Sequence, residues 1–577
     1  MHKLVQKYGA PVLVLVGAIV LALLPLTISS YYISLLILLW ANVALATAWS
    51  IFSGATRYIS LATSAFIGVG MYSVAVLHTF IPVWLALIAA ALVGLLIALL
   101  VGLSTLRLRG VYFVIFTFGL TELIHQMVIW WEVNLNRTLS RFIFVDLSNV
   151  AVYELLLLLA AATIIGSWYV SRARLGYGLR AIGEDETVAK HIGINTTRVK
   201  VFVFAGSAAI MSLVGAVLSL RYPYVDPNIA FNNLWSFQVL IAALLGGPGV
   251  WGPALGAIPL VLLSEVLAGT FPHHFSIALG IFFVLIVYFL PGGVSTKLDG
   301  WLRGQTIAWQ PKPAAEQLSP IPRASGLAPS TVSGETLLDV QGLYKAFGGL
   351  VAVNDLSFSV PRGAIVGLIG PNGSGKTTAI NLLTGEVAAD HGTALFQGTD
   401  ILQLDSFEVC RSRVARTFQL VRTLEGMTVR ETILVARMFG SHPTTPALAA
   451  SDVEILLERT GLSEQGDLYG SQLTYIDQKR VELARALATQ PQLLLLDEWL
   501  AGLNRTELQI GIQLIDKIRR EGVTIIMVEH VMEAIRALCD QVYVMNAGEL
   551  IAQGKPDQVL SEPRVLQVYL GTDDAEA

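Results

Sequence analysis

Gly370-Pro371-Asn372-Gly373-Ser374-Gly375-Lys376-Thr377-Thr378 satisfies every fixed position of the pattern G-x-x-x-x-G-K-[ST], and the residues around it decide how it is read. The apolar run Ala364-Ile365-Val366-Gly367-Leu368-Ile369 before it has the make-up of a buried strand, and Thr378-Ala379-Ile380-Asn381-Leu382-Leu383 after it has that of a helix. Strand, glycine loop and helix is the context in which such a loop cradles phosphates. Glycines let backbone N–H groups curl inward, and the helix offers its positive end. Asn372, Gly373, Ser374, Gly375, Lys376, Thr377 and Thr378 are therefore candidate nucleotide-binding residues. Lys376 would reach the outer phosphates and the Thr377 hydroxyl would hold magnesium. A glycine-rich turn of another α/β protein would show the same letters, so the rest of the chain has to decide.

The 577 residues are 54% hydrophobic and 14% charged, an average that hides two different chains in series. Nearly all the excess apolar character lies before Trp301. The formal net charge of −4 gives no reason to expect a nucleic-acid partner. Cys410 and Cys539 both fall in the nucleotide-binding half, where a reducing cytosol would keep them as thiols.

Apolar segments of membrane-spanning length begin near Ala10, Tyr31, Ile59, Pro82, Gly110, Asn149, Lys200 and His274. The first, from Ala10 towards Ile28, lacks a small-residue cleavage site and reads as a retained helix rather than a signal peptide. Leu234 to Gly269 is too long for one span, and Gly246-Gly247-Pro248-Gly249-Val250-Trp251-Gly252 reads as a tight turn between two short helices. Basic stretches ending near Lys200 and beginning near Lys297 both belong in the cytoplasm, which requires an even number of crossings between them. About ten spans result, with the N-terminus inside. Lys3, Lys7, Arg57, Arg107, Arg109, Arg172, Arg174, Arg180, Lys190 and Arg198 then fall on the cytoplasmic side. Arg137, Arg141 and Arg221 are exceptions, either idle surface charges or partners for acidic groups on an extracytoplasmic docking protein. Glu122 and His125 lie inside an apolar span and are expected to face the bundle interior or a wet path. Gly54, Gly68 and Gly70 suit either a broken-helix binding site or close helix packing.

From about Gly304 to Gly334 the chain is rich in Pro, Ser, Ala and Gln without a hydrophobic period, the signature of a tether. Beyond it, Leu493-Leu494-Leu495-Leu496-Asp497-Glu498 is an apolar strand ending in two carboxylates. That placement suits Asp497 to the magnesium shell and Glu498 to polarising an attacking water.

Three stretches of the membrane half carry a specific resemblance: Phe66-Ile67-Gly68-Val69-Gly70, Leu106-Arg107-Leu108-Arg109-Gly110, and Gly178-Leu179-Arg180-Ala181-Ile182-Gly183-Glu184-Asp185-Glu186 with Gly193-Ile194-Asn195. They resemble the membrane subunit of the branched-chain amino acid family of ABC importers. The resemblance implies that the region of Gly183 and Glu184 is a coupling helix that contacts the ATPase. Leu337 to Gly571 resembles the ATPase subunit of the same family. There Phe347 resembles the aromatic that stacks on adenine, with a plain core phenylalanine as the alternative. Gln419 resembles the glutamine that senses magnesium and the attacking water, and His530 the switch histidine on the γ-phosphate. Ala501-Gly502-Leu503-Asn504 matches the loop that crosses the ATPase dimer interface.

Three departures stand out. Where family members carry a Thr-Gly-Gly-rich stretch, this chain has Trp131-Glu132-Val133-Asn134-Leu135-Asn136-Arg137-Thr138. Trp499 replaces the usual proline after the catalytic glutamate. The signature that should close over a partner's ATP is Leu473-Thr474-Tyr475-Ile476-Asp477, with Ile476 where glycine would let backbone N–H groups approach the γ-phosphate and Asp477 adding repulsion.

The expected fold is a polytopic α-helical membrane domain (1–303), a flexible linker (304–335) and an α/β P-loop ABC ATPase domain (336–577). The expected activity is ATP- and Mg2+-dependent import of a small polar solute, an amino acid of branched-chain type, across a bacterial cytoplasmic membrane. Expected partners are a second permease subunit, a second ATPase subunit with an intact signature, an extracytoplasmic solute-binding protein and the lipid bilayer. Urea, short amides and small organic acids remain open as cargo, and a low-turnover ATP-binding regulator is the competing class. Exporters of the superfamily typically use six long helices, which this span pattern does not match.

Overall fold

The computed structural model describes residues 17, 19–106, 108, 110–138, 140–145, 147–271, 274–290, 292–295 and 334–570. Much of the first predicted span, Lys3, Lys7, Arg107, Arg109, Lys297 and nearly all of the predicted linker lie outside the described residues. The chain forms two compact units, Met1–Leu179 with Thr197–Pro311, and Arg180–Thr196 with Lys312–Ala577.

In the first unit the described residues include eight helices long and apolar enough to cross a membrane, and the shorter apolar helix Thr63–Leu77. In chain order the principal helices are α1 (Ser30–Trp49), α2 (Thr63–Leu77), α3 (Val83–Thr105), α4 (Val111–Trp131) and α5 (Asn149–Arg172). The short α6 (Arg174–Glu184) and α7 (Glu186–His191) lead to α8 (Thr196–Ser219), α9 (Leu234–Gly246), α10 (Gly252–Thr270) and α11 (Phe275–Phe289). The glycine-rich turn at 247–251 separates α9 from α10, as its composition implies. Glycine serves helix contact here: a Cβ on Gly70 would run into the Ser212 carbonyl of α8, and one on Gly215 into the Ile67 carbonyl of α2.

Two sequence expectations change. Arg141 is neither idle nor reserved for a partner, because its Nε donates to Glu132 Oε1 at 2.6 Å and its guanidinium lies 5.0 Å from the Trp131 ring centroid. Glu132 is fully buried and also accepts from Asn136 and from Thr138 at 3.0 Å. The departure after Trp131 is thus a knot around a buried carboxylate, which needs these donors. Glu122 does not face the bundle interior: its side chain is 52% exposed and accepts from Gln126 at 2.7 Å, while His125 turns inward against Phe231.

In the first unit β1 (Arg141–Phe142) pairs antiparallel with β2 (Tyr224–Val225). The second unit contains a six-stranded sheet in the order β12-β11-β5-β10-β9-β8 and a four-stranded antiparallel sheet in the order β4-β3-β6-β7. The first comprises β5 (Ile365–Ile369), β8 (Val414–Arg416), β9 (Leu493–Asp497), β10 (Thr524–Val528), β11 (Gln541–Asn546) and β12 (Glu549–Gly554). The second comprises β3 (Thr336–Phe347), β4 (Leu350–Pro361), β6 (His391–Phe396) and β7 (Thr399–Asp400). Strands β5, β9 and β10 are buried at every residue, which is why they read as unbroken apolar runs instead of alternating ones. Because β8, β9, β10, β5 and β11 run parallel, the residues that follow them leave the sheet at one edge.

Candidate functional site

That shared edge gathers the chemistry. The glycine loop follows β5 and opens α12 (Lys376–Leu383), Gln419 lies just beyond β8, Asp497 and Glu498 end β9, and His530 follows β10. Gly373 and Gly375 have φ of 81° and 98°, left-handed values that suit glycine, and a Cβ on Gly375 would strike the Ala352 carbonyl. Lys376 Nζ donates to the carbonyls of Gly370 and Pro371, each at 2.8 Å, so the ammonium is held against the loop it serves. Burial lowers its pKa, opposed by Glu498 and Asp497. Ser374 is buried beneath the loop, Thr377 and Thr378 occupy the first turn of α12, and Asn372 is at the exposed crest.

Asp497 is fully buried, and burial raises its pKa to about 6 against the opposing pull of Arg416. Arg416 Nη2 lies 3.5 Å from its Oδ2, whereas Oδ1 is buried with no hydrogen-bond partner among the described residues. An orphaned carboxylate oxygen beside a phosphate loop fits a magnesium shell, so Asp497 and Thr377 are the groups suited to hold the ion. Glu498 has φ of 50°, uncommon for a residue with a Cβ, and its carboxylate meets the Gln419 amide at 3.1 Å and His530 Nδ1 at 4.0 Å. The glutamate, glutamine and histidine named from sequence therefore form one cluster. Phe347 ends β3 and is 49% exposed, so it is no core residue.

The signature segment caps α16 (Tyr475–Ala488). Thr474 is the N-cap, Leu473 precedes it, and the Ile476 side chain is partly exposed in the first turn. Asp477 accepts from Thr474 Oγ1 at 2.7 Å and pairs with Arg480 at 3.1 Å, so part of its charge is spent within its own helix. The ring of Tyr475 lies against Gly502, in the loop between β9 and α17 (Arg505–Arg520).

Trp499 is fixed in place by packing and by hydrogen bonds. It is almost wholly buried, its Nε1 donates to the Lys479 carbonyl at 3.0 Å, and Lys479 Nζ donates back to the carbonyls of Trp499 at 2.7 Å and Ala501 at 2.8 Å. This reciprocal clasp ties α16 to the segment after Glu498. The lysine offered no sequence signal, since its partners lie some twenty positions away in the chain.

Residues 180–196 pack within the same unit. Asp185 accepts from Arg422 at 3.1 Å, Arg180 donates to Glu431 at 3.1 Å, and Arg411 donates to the Gly193 carbonyl at 3.1 Å. The Glu184 carboxylate closes on Gly426, where a Cβ would leave no room for it, and Gly183 sits in the last turn of α6. His191 is buried 4.0 Å from Glu386, which binds Arg416 at 2.9 Å, which in turn reaches Asp497. Glu386 and Arg416 thus stand between this segment and the candidate metal ligand, although His191 Nε2 itself has no hydrogen-bond partner among the described residues.

Residues 31–290 match the family described as branched-chain amino acid transport system / permease component, and residues 353–501 match the ABC transporter family. Residues 549–575 match the family described as branched-chain amino acid ATP-binding cassette transporter. The ATP-binding half is 40% identical over 251 residues to the high-affinity branched-chain amino acid transport ATP-binding protein LivG of Escherichia coli (strain K12), covering 41% of this chain and 98% of LivG. It is 38% identical over 249 residues to the corresponding protein BraF of Pseudomonas aeruginosa, covering 41% of this chain and 98% of BraF. A solved nucleotide-free ATP-binding cassette from an ABC transporter aligns at 30% identity with a TM-score of 0.39, covering 41% of this chain and 100% of that one.

The chain is a membrane-embedded ABC ATPase that couples ATP hydrolysis to transport. It belongs to the branched-chain amino acid ABC transporter family, with the permease and ATP-binding parts joined in one polypeptide.

Proposed function

We propose that this chain is half of an asymmetric bacterial importer that takes up an amino acid of branched-chain type. In this reading it lies in the cytoplasmic membrane with its ATPase inside. It works with a second permease subunit, a second ATPase subunit and an extracytoplasmic solute-binding protein. The permease part is residues 1–303, a tether spans 304–335, and the motor is 336–577. The observation that carries the asymmetry is Ile476-Asp477 at the start of α16. A β-branched side chain and a carboxylate stand where a partner's γ-phosphate would need bare backbone N–H groups.

The intact half of the chemistry follows from the shared sheet edge. Lys376 and the N–H groups of the glycine loop orient the phosphates, and Phe347 supplies a face for the base. Glu498, steadied by the Gln419 amide, accepts hydrogen bonding from the attacking water, and His530 contacts the terminal phosphate. Thr377 and Asp497 would hold magnesium, which would neutralise charge on the phosphate oxygens. A signature from a different ATPase subunit completes this site, while the site closed by Ile476 and Asp477 is slow or silent. The segment around Gly183 and Glu184 carries motor closure to the permease, which the Asp185–Arg422 and Arg180–Glu431 pairs support.

The discriminating experiment converts Ile476-Asp477 to Gly-Gln in the assembled complex and measures ATP turnover. The asymmetric reading expects turnover at the working site to stay within about twofold, since that site does not use this signature, whereas a several-fold loss contradicts it.

A further inference from the structure

The permease unit contains a cavity of about 280 Å³ formed by α1, the start of α9, α10 and the start of α11. Its lining combines apolar walls, among them Trp235, Leu260 and Phe275, with the polar side chains of Asn42, Asn232, Gln238, Ser264 and Glu265. Among the described residues Glu265 is the only charged group of the lining, which contains no Lys, Arg or His among them. A carboxylate within a helix of spanning length is costly unless it serves a pathway or a partner. Tyr31 donates to Glu265 Oε1 at 3.0 Å, and among the described residues no donor reaches Oε2.

Two more groups are left in want of partners. Asn42 is 4% exposed and donates to the Leu38 carbonyl at 2.9 Å, yet its Oδ1 has no hydrogen-bond partner among the described residues. The Ser264 hydroxyl is buried and likewise unpartnered. Ser73 and Thr163 in the same bundle return their hydroxyls to Val69 and Leu159, each at 2.7 Å, whereas Thr47 and Thr63 are, like Ser264, buried without a partner but lie outside the cavity lining. Buried polar groups without partners are uncommon and call for a ligand or water.

We propose that this cavity is a solute site on the transport path, taking an aliphatic molecule that bears a primary ammonium group, with Glu265 as its ionic partner. The ammonium brings three donors, which suits Glu265 Oε2 and the acceptor oxygen of Asn42. Ser264 and the carboxamides of Asn232 and Gln238 offer donors for an acceptor group on the same solute, and Leu260 and Phe275 face its alkyl body. The proposal rests on the importer reading above and adds where the permease itself holds the cargo.

The test uses the complete complex in lipid nanodiscs without binding protein, probed by ligand-observed saturation-transfer NMR. L-leucine and isopentylamine, which share the ammonium, are expected to bind, and 4-methylpentanoate, which lacks it, is not. Glu265→Gln should weaken L-leucine about tenfold or more, Glu265→Asp should restore part of that loss, and the cavity-filling Leu260→Trp should abolish binding. Size-exclusion chromatography establishes that each variant assembles, and the paired Glu265→Asp and Leu260→Trp results keep the test decisive if Glu265→Gln does not. Equal binding of 4-methylpentanoate, or L-leucine binding indifferent to both Glu265 changes and to Leu260→Trp, overturns the proposal. ATP-driven L-leucine uptake into proteoliposomes with the binding protein separates the two readings. Uptake insensitive to Glu265 removes the site and leaves the importer, whereas Glu265-dependent isopentylamine binding without any L-leucine uptake removes the importer and leaves the site.

Discussion

Trp499 shows how a single side chain can replace a rigid backbone device. A proline after Glu498 would stiffen the chain by restricting φ, whereas here an indole locked onto Lys479 does the stiffening from outside. Trp499→Phe removes one buried hydrogen bond and should cost about 1 kcal/mol, while Trp499→Ala also opens a cavity and should cost about 3–5 kcal/mol. Denaturant unfolding followed at the motor domain reads both, and equal costs for the two variants would show that packing contributes nothing. At the same scale, Glu498→Gln keeps the shape of the cluster but removes the acceptor for the water proton. ATP turnover should fall at least about 100-fold with nucleotide binding retained. Turnover within twofold of wild type would place the catalytic base elsewhere. The glycine loop and the paired carboxylates were legible because their chemistry demands local, contiguous residues. Lys479, Arg416 and Glu265 were not, because each acquires its role from partners distant in the chain.

The short helix α7 is the element whose behaviour should depend on pH. His191 is buried, and its pKa is lowered to about 3, first by burial and then by the Arg416 charge, with Arg485 and Lys190 adding to the effect. The Thr187 carbonyl, 2.9 Å from Nδ1, opposes the shift without reversing it. An exposed histidine gains its proton near pH 6.5 while the docked one does not, so docking weakens as pH falls below that value and is unaffected above it. The loss should amount to about 2 kcal/mol between pH 6.5 and 5. Hydrogen-exchange protection factors of the amides of residues 186–195 in the intact complex, corrected for the intrinsic pH dependence of exchange, should fall over this range, and His191→Gln should flatten the response; unchanged protection in the wild-type protein would refute it. Most spans were legible at this scale because length and hydropathy suffice to place them, and the α9–α10 break was marked by its glycines. The Glu132–Arg141 knot was hidden, since composition cannot tell a loop arginine that pairs inward from one that awaits a partner.

For the whole molecule, fusing permease to motor leaves each chain with one phosphate loop and one signature, and the two are of unequal quality. In the proposed reading the loop, Glu498 and His530 serve turnover, whereas Ile476 and Asp477 obstruct the surface offered to a partner's nucleotide. Two copies of this chain would pair two good loops with two poor signatures, so the account requires a different ATPase opposite it. Native mass spectrometry of the complex recovered with a tagged chain from its own membrane measures this directly. An asymmetric importer should yield one copy of this chain together with a second permease subunit and a second ATPase subunit. A particle containing two copies of this chain and no other ATPase would contradict it.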